Sequence, residues 1–465
     1  MTTTTHQAVQ PEFRWLVILV SIGFFMQALD TTIVNTAIPA MAIQLNENPL
    51  QMHSVIVAYV LSVAACIPLS GWLADRFGIR NIYLSSMVIF SLASLGCGLS
   101  QNLEQLLFFR VIQGIGGALL MPVGRLALLK LIPRSQFLSA MSLMSLAGLI
   151  GPLMGPTLGG WLVEVTTWHW IFLINLPMGI LGMIMTFKIM PNQKEPTVKT
   201  FDFSGFILLM VAMVGLSLGI ENMASSQYSN LVSISLLLIG IIATVSYAYH
   251  AHTHQNALFH GRLFRYKIFS IGVLGNFFAR LGSNAIPFIL PLMLQVAFGF
   301  EPFITGLMMI PLVLGSLFSK PIIRPLIQRV GYRRFLLTNT ILVGLCIASF
   351  SFMTAVTPLW LKVLHLFIFG TLNSLQFVGM NTLTLKDLPQ HDASSGNSFL
   401  SMIMMLSMSI GVAMAGTLIN LFSQHFSTTS MSSAFHATLI TLGCINIITA
   451  IIFWQIPKET TDESP

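Results

Sequence analysis

The sequence predicts an all-α polytopic membrane protein of fourteen spans, on three observations. Hydrophobic residues make up 55% of the chain, the mean hydropathy is +0.82, and only 8% of residues are charged. Soluble proteins carry about a quarter charged residues. The apolar runs recur at about 20 residues, the length a helix needs to cross a hydrocarbon core. The basic residues gather between alternate pairs of runs. A soluble chain of this length would form about three domains, but the composition overrides that expectation.

The first span, 15–38, follows MTTTTHQAVQPEF, which has no basic region before the apolar run. The run is too long for a signal peptide, so it is expected to stay as a span. Spans 52–73 and 81–100 flank the turn GWLADRFGIR, and spans 105–128, 137–162 and 170–190 complete a first group of six. Spans 204–221 and 230–249 carry almost no polar residue and lie between two basic polar stretches, 188–203 and 249–267. A second group of six follows at 268–296, 303–326, 335–353, 359–382, 396–421 and 436–456.

The even number puts both ends on one side. If that side is cytoplasmic, every Lys and Arg except Arg110, Arg280 and Lys362 falls on an inner segment or inner helix end. The outer loops carry Glu47, Glu104, Glu164, Glu221 and Glu301, as the positive-inside rule requires. The net charge of +7 is therefore mostly a topology signal, and no basic arm or aromatic-interleaved patch supports nucleic-acid binding. The expected organisation is a cytoplasmic N-terminus 1–14, a six-helix bundle 15–190, a linker 191–203, two inserted helices 204–249, a linker 250–267, a second six-helix bundle 268–456 and a cytoplasmic C-terminus 457–465.

Cys66, Cys97, Cys346 and Cys444 each lie inside an apolar run without CxxC spacing, which suits packed free thiols. His250, His252, His254 and His260 resemble a metal tract by spacing, but a solvated loop explains them more simply, and no metal is expected.

GWLADRFGIRNIYL (71–84) partly recurs as RPLIQRVGYRRFLL (324–337), with Arg76, Gly78 and Arg80 meeting Arg329, Gly331 and Arg333. Both copies occupy the same position in a six-span group, as internal repeats of a secondary transporter do. Gly71 permits close helix approach, and Asp75 can bond a neighbouring helix terminus or the nearby arginines. That makes either a breakable latch or a static charged turn. The second copy has Gln328 in place of the acid, so its latch is weaker. In GPLMGPTLGG, Gly151, Gly155 and Gly159 lie on one helix face with Gly160 beside them, and small residues at this spacing let two backbones pack closely. Pro152 and Pro156 each remove a backbone donor and bend the helix. The result is either a seal along a central path or plain helix packing.

These stretches resemble the Major Facilitator Superfamily, and its fourteen-span drug:proton antiporters in particular. The turn at 71–84 is similar to motif A and LLFFRVIQGIGGALLMPVGR (106–125) to motif B. GPLMGPTLGG (151–160) resembles motif C, the antiporter signature, and LDTTIVNTAIP (29–39) the first-span motif. The resemblance covers nearly the whole chain and implies two six-helix bundles with two extra spans.

Asp30 and Arg110 are charges inside spans, and both project to the outer half of the first bundle. A carboxylate in a low-dielectric interior takes up a proton more readily, and a nearby arginine reverses this. The pair can serve proton coupling or be a permanent structural ion pair, or Asp30 can bond helix hydroxyls. Arg280 shares its span with Asn276, Asn284 and Gln295, while His365, Asn373 and Gln376 share another. With Gln27, Asn35 and Gln113 these are the candidates for lining a substrate cavity. A helix–helix hydrogen-bond network would use the same groups, and His365 is as readily a packing residue. Abundant Met (27) and Phe (34) suit a pocket for varied apolar solutes.

The expected function is efflux of small amphipathic drugs or toxic compounds across the bacterial inner membrane in exchange for protons. The same fold would also suit an exporter of an endogenous metabolite, amino acid or siderophore. No GxxxxGK[ST] or HExxH occurs, and no GxSxG serine with catalytic partners, so neither direct ATP use nor an intramembrane enzyme is expected. The proton gradient replaces a cofactor, and a monomer is expected to suffice.

Overall fold

A computed structural model of the protein describes residues 10–195, 200–224, 230–254, 256–425 and 431–457, and every regular element among them is helical. Residues 1–9 of the expected N-terminus, residues 196–199 of the first linker with Lys199, and the C-terminal residues from Lys458 onward lie outside the described residues. Thirteen described helices are long and apolar enough to cross a membrane, and a fourteenth apolar helix, Pro302–Phe318, has 17 residues. The chain is a multi-pass membrane protein.

Two compact units divide it: Met1–Asn48 with Ala58–Phe201, and Pro49–Val57 with Asp202–Pro465. The first unit opens with α1 (Pro11–Leu45), whose proline at the start leaves no needed donor unpaired. At 35 residues α1 is about 52 Å long, well past the expected 15–38. Hydropathy marks only the apolar window, whereas the helix continues until Asn46 ends it in a left-handed cap (φ 57°). α2 (Ser54–Cys66) gives its first turn to the second unit. Pro68 then tightens the chain into a 3₁₀ turn, Ile67–Leu69, before α3 (Ser70–Phe77). α4 (Ile79–Gly98), α5 (Leu103–Leu131), α6 (Arg134–Val165), the one-turn α7 (Trp170–Leu173) and α8 (Asn175–Ile189) complete the unit. α1 runs along α6, and α4 packs between α5 and α8.

In the second unit α9 (Phe203–Glu221) and α10 (Asn230–Thr253) pack against each other, and α9 also packs on α15 (Gln390–His425). α11 (Lys267–Leu292) contains Pro287 and Pro291 and unwinds into a π turn, Met293–Ala297. α12 (Pro302–Phe318) pairs with α14 (Leu359–Lys386), and α13 (Lys320–Ser349) with α16 (Met431–Trp454). Ile271, Ala279, Phe335, Leu336, Met380 and Phe453 form a core cluster of this unit.

The repeated turn is a repeated backbone feature. Gly78 has φ 94° and Gly331 φ 75°, values at which a Cβ is strained. Gly331 kinks α13 internally, while Gly78 separates α3 from α4.

Candidate functional site

Asp30 sits just past the middle of α1 and is wholly buried. An unmet carboxylate there would be very costly, and three side chains of the first unit bond it. Arg110 of α5 donates from Nη1 to Asp30 Oδ2 at 2.6 Å and to Gln113 Oε1 at 2.8 Å. Gln113 Nε2 donates to Asp30 Oδ1 at 2.8 Å, and Asn175 Nδ2 of α8 reaches the same oxygen at 3.3 Å. Both amides also donate to Ser94 Oγ of α4 (3.2 and 3.0 Å), which in turn donates to the Phe172 carbonyl at 2.9 Å. The Arg110 guanidinium lies 4.2 Å from the Tyr59 ring centroid, so its face is covered by π-density. All three bonded partners of the carboxylate donate, and one carries a positive charge.

The glycines of α5 make this packing possible. A Cβ on Gly114 would stand 2.6 Å from the Tyr59 carbonyl oxygen, and one on Gly116 2.7 Å from the Phe90 nitrogen. Their absence lets α2 and α4 close in on α5, bringing Tyr59 and Ser94 to the network. The α6 stripe acts on α1 in the same way. A Cβ on Gly151 would lie 2.8 Å from Leu29 N, one on Gly155 would strike Thr32 Oγ1, and one on Gly159 would press on the Ile33 carbonyl. These α1 residues flank Asp30 on both sides. Thr36 Oγ1 also donates to the Pro156 carbonyl at 3.1 Å, within a helix that stays continuous through Pro152 and Pro156. Gly160 is buried beside them.

The turn at 71–84 is built differently from expectation. Asp75 pairs with Lys130 of α5 (3.0 Å), and Lys130 also reaches Glu195 (2.5 Å). Of the two expected kinds of partner for Asp75, a neighbouring helix terminus is represented by Lys130 in the last turn of α5, whereas the nearby arginines lie over aromatic rings, Arg76 over Trp72 (5.1 Å) and Arg80 over Phe187 (5.8 Å). The Glu195 amide donates to the Asp75 carbonyl and the Ile79 amide to that of Gln193, stitching the chain after α8 onto the turn. Gly71 is exposed, and a Cβ there would meet nothing within 4 Å, so the expected close approach is absent among the described residues. In the second copy Arg329 is exposed and Arg333 lies over Trp454 at 5.0 Å.

The remaining candidates separate into groups. Arg280 donates from Nε to Asn276 Oδ1 (3.0 Å) and from Nη2 to Asn381 Oδ1 (3.3 Å), under the Phe377 ring at 4.2 Å. No acidic side chain pairs with it among the described residues. Gln376 is spent on Asn339 (2.7 Å) and Thr340 (2.6 Å), and His365 bonds Ser349 Oγ at 2.9 Å while stacking on Phe350. Gln27 and Asn35 are buried, with Gln27 Oε1 unpartnered among the described residues. Asn284, Gln295 and Asn373 are half-buried.

The histidine stretch is not a simple solvated loop. His250 lies in the last turn of α10 with Nε2 2.9 Å from both oxygens of Asp202, and His254 stacks on it. Asp202 caps α9 by accepting from Gly205 N (2.9 Å) and Ser204 Oγ (3.0 Å), and Leu258 N reaches it at 3.2 Å. Burial alone would push its carboxyl pKa up. The bonds from Gly205, His250, Ser204 and Leu258 outweigh that and hold it below the usual range.

Spacing alone did not reveal Tyr59, Ser94, Asn175, Lys130 or Glu195. Ser94 and Asn175 were nevertheless visible as lone polar residues inside apolar runs.

Comparison with known proteins bears on this geometry. The model of the Major Facilitator Superfamily matches residues 20–252 and 272–465. The chain is 50% identical over 452 residues to the Putative multidrug resistance protein MdtD of Escherichia coli O6:H1, covering 96% of this chain and 95% of the relative. It is 49% identical over 454 residues to the protein of that name in Pectobacterium atrosepticum, covering 97% of each. Among solved structures, a peptide transporter POT in complex with sulfate aligns with TM-score 0.70 at 14% identity, over 97% of this chain and 96% of that one. A D-xylose-proton symporter aligns with TM-score 0.68 at 14% identity, over 96% and 98%. These two likenesses concern the fold.

Proposed function

We propose, for a chain that belongs to the Major Facilitator Superfamily, that it exports small amphipathic drugs or toxic compounds by alternating access, driven by protons entering in exchange. The relatives named for multidrug resistance support the cargo class. One observation carries the coupling: a wholly buried carboxylate whose charged partner, Arg110, already holds a second acceptor in Gln113 Oε1. When Arg110 shifts its bond fully to Gln113, Asp30 keeps only amide donors, and a buried carboxylate losing its cation gains proton affinity. Protonation removes the charge that draws Arg110 back. Release to the other side restores the pair. The α6 glycine stripe, pressed against the residues on either side of Asp30, ties that exchange to the packing of α1 on α6.

In this reading the protein works as a monomer in the bacterial inner membrane with both termini cytoplasmic. The gradient takes the place of a cofactor, and nucleic acid plays no part. The test is cargo flux in proteoliposomes with an imposed pH gradient. Flux should follow the gradient in the wild type, and Asp30→Asn should abolish that dependence. Normal gradient-driven flux in Asp30→Asn would sink the coupling.

A second reading of the cargo rests on Arg280. A buried guanidinium with two amide partners and no acid among the described residues favours an anionic or zwitterionic group on the transported molecule. That suits an exporter of an endogenous metabolite, amino acid or siderophore. Accumulation of such a compound in a deletion strain, with drug sensitivity unchanged, would select this reading.

A further inference from the structure

His53 precedes α2 and packs within the second unit, 6% exposed. Its Nδ1 lies 3.0 Å from the Leu50 carbonyl. A carbonyl can only accept, so Nδ1 carries the hydrogen and the neutral ring presents a bare lone pair at Nε2. Among the described residues, that Nε2 is buried without a hydrogen-bond partner. A buried polar atom left in this way calls for an explanation. The ionisable group it faces is the carboxyl of Glu221, the last residue of α9, whose Oε1 is 3.9 Å away.

The surrounding contacts are built to hold the ring there. A Cβ on Gly416 of α15 would collide with the imidazole, so glycine leaves its space. The next residue, Thr417, donates to the Ile220 carbonyl at 3.2 Å and fixes the end of α9 beside it. Phe288 of α11 presents its ring at 60° with centroids 6.3 Å apart. None of the groups contributed by α11 and α15 to these contacts titrates, which leaves Glu221 as the ionisable partner that α9 brings. The Leu50 bond keeps the hydrogen on Nδ1, so the neutral ring turns its lone pair toward Glu221. A carboxylate facing that lone pair is repelled, whereas a carboxylic acid donates to it.

We propose that His53 and Glu221 form a proton-binding site in which one proton is shared between Glu221 Oε1 and His53 Nε2. Binding takes the proton from water and closes an O–H···N bond, and release returns it. The bond ties the end of the inserted helix α9 to the turn before α2. This gives the inserted pair a role that does not depend on the Asp30 exchange.

The test is proton uptake by purified full-length protein in nanodiscs, read with an indicator dye in weak buffer on acidification from about pH 8 to about pH 5. Glu221→Gln keeps an N–H to donate to Nε2, mimics the protonated acid, and should take up about one proton fewer per molecule than wild type. His53→Gln should retain that proton with its midpoint moved about one pH unit or more toward acid, because the amide donates to the carboxylate. Equal uptake by wild type and Glu221→Gln, or an unmoved midpoint in His53→Gln, overturns the proposal. Ring ¹⁵N spectra of the wild type keep the test independent of how the variants fold. Protonated Nδ1 with an accepting Nε2 at neutral pH is expected, and a hydrogen on Nε2 there contradicts it.

Discussion

The Asp30–Arg110 pair should behave as a single energetic unit, and a double-mutant cycle measures whether it does. Arg110→Leu leaves a carboxylate of 0% exposure with only the Gln113 and Asn175 amides. Breaking a buried ion pair from one side costs about 3–5 kcal/mol, and the upper half of that range is expected here. Asp30→Asn strands the guanidinium instead, but Gln113 Oε1 at 2.8 Å and the Tyr59 ring at 4.2 Å still hold it. A desolvated cation–π contact is worth about 2 kcal/mol, so this variant should fall near about 3 kcal/mol. The double variant buries no unpaired charge. Its loss should therefore be smaller than the sum of the singles by at least about 2 kcal/mol. Equilibrium unfolding of the purified chain in mixed micelles, titrated with a denaturing detergent and followed by circular dichroism, gives all four values. Additive losses would mean that the two charges do not hold each other, and the proposed exchange would lose its starting state.

Gly151→Val inserts atoms where a Cβ already lies 2.8 Å from Leu29 N. Overpacking of this kind costs about 1–3 kcal/mol, and gradient-driven flux should fall more than tenfold while membrane insertion is kept; undiminished flux contradicts the link between the stripe and Asp30. Lys130→Gln removes a half-exposed tie, so stability should change by less than about 1 kcal/mol, yet the Glu195 amide, bonded to the Asp75 carbonyl, should exchange its hydrogen faster. An unchanged exchange rate removes Lys130 as the clamp. Asp202 has a folded pKa below its unfolded value, so its contribution is present above about pH 3.9 and is lost as pH falls through the folded value. The stability gap between wild type and Asp202→Asn should accordingly close under acid, and a gap that persists or widens there reverses the sign. Gly78→Ala and Gly331→Ala both force a Cβ to positive φ at about 1–2 kcal/mol. Gly78→Ala should cost more, because its Cβ also meets the Asn192 amide.

What the sequence made legible was whatever one segment determines by itself. Apolar length located the spans, and a glycine at the same offset in two copies located two positive-φ turns. Counting helical rise placed Asp30 and Arg110 at a similar depth, and they meet at 2.6 Å. Helix ends were misjudged because hydropathy reports the bilayer, whereas capping and tight turns decide where a helix stops, as at Asn46 and Pro68. Partners were missed where they come from distant segments. Lys130 stands 55 residues from Asp75 and 65 from Glu195, and nothing in the turn announces which basic residue will reach it. The arginines nearby in sequence were the natural candidates, yet flat guanidinium groups found aromatic faces nearer than the acid.

A joint signal was available in the sequence. Lipid is as apolar as a leucine face, so helices in a bilayer gain little from hiding apolar surface and more from close packing and hydrogen bonds. A polar side chain at such a contact is satisfied only if the neighbouring backbone comes near enough to place a partner. Glycine is what permits that approach. Asp30 has Gly151 and Gly155 pressed against the residues beside it, Tyr59 has Gly114 and Gly117, and His53 has Gly416. In each case the glycine belongs to a different element from the polar residue it serves. Spaced glycines in one span and a lone polar residue in another are thus halves of one design, and their pairing points to buried sites better than either feature alone. In the second unit the same pairing marks His53 with Gly416 ahead of Gln376, whose bonds with Asn339 and Thr340 form without such a glycine in contact among the described residues.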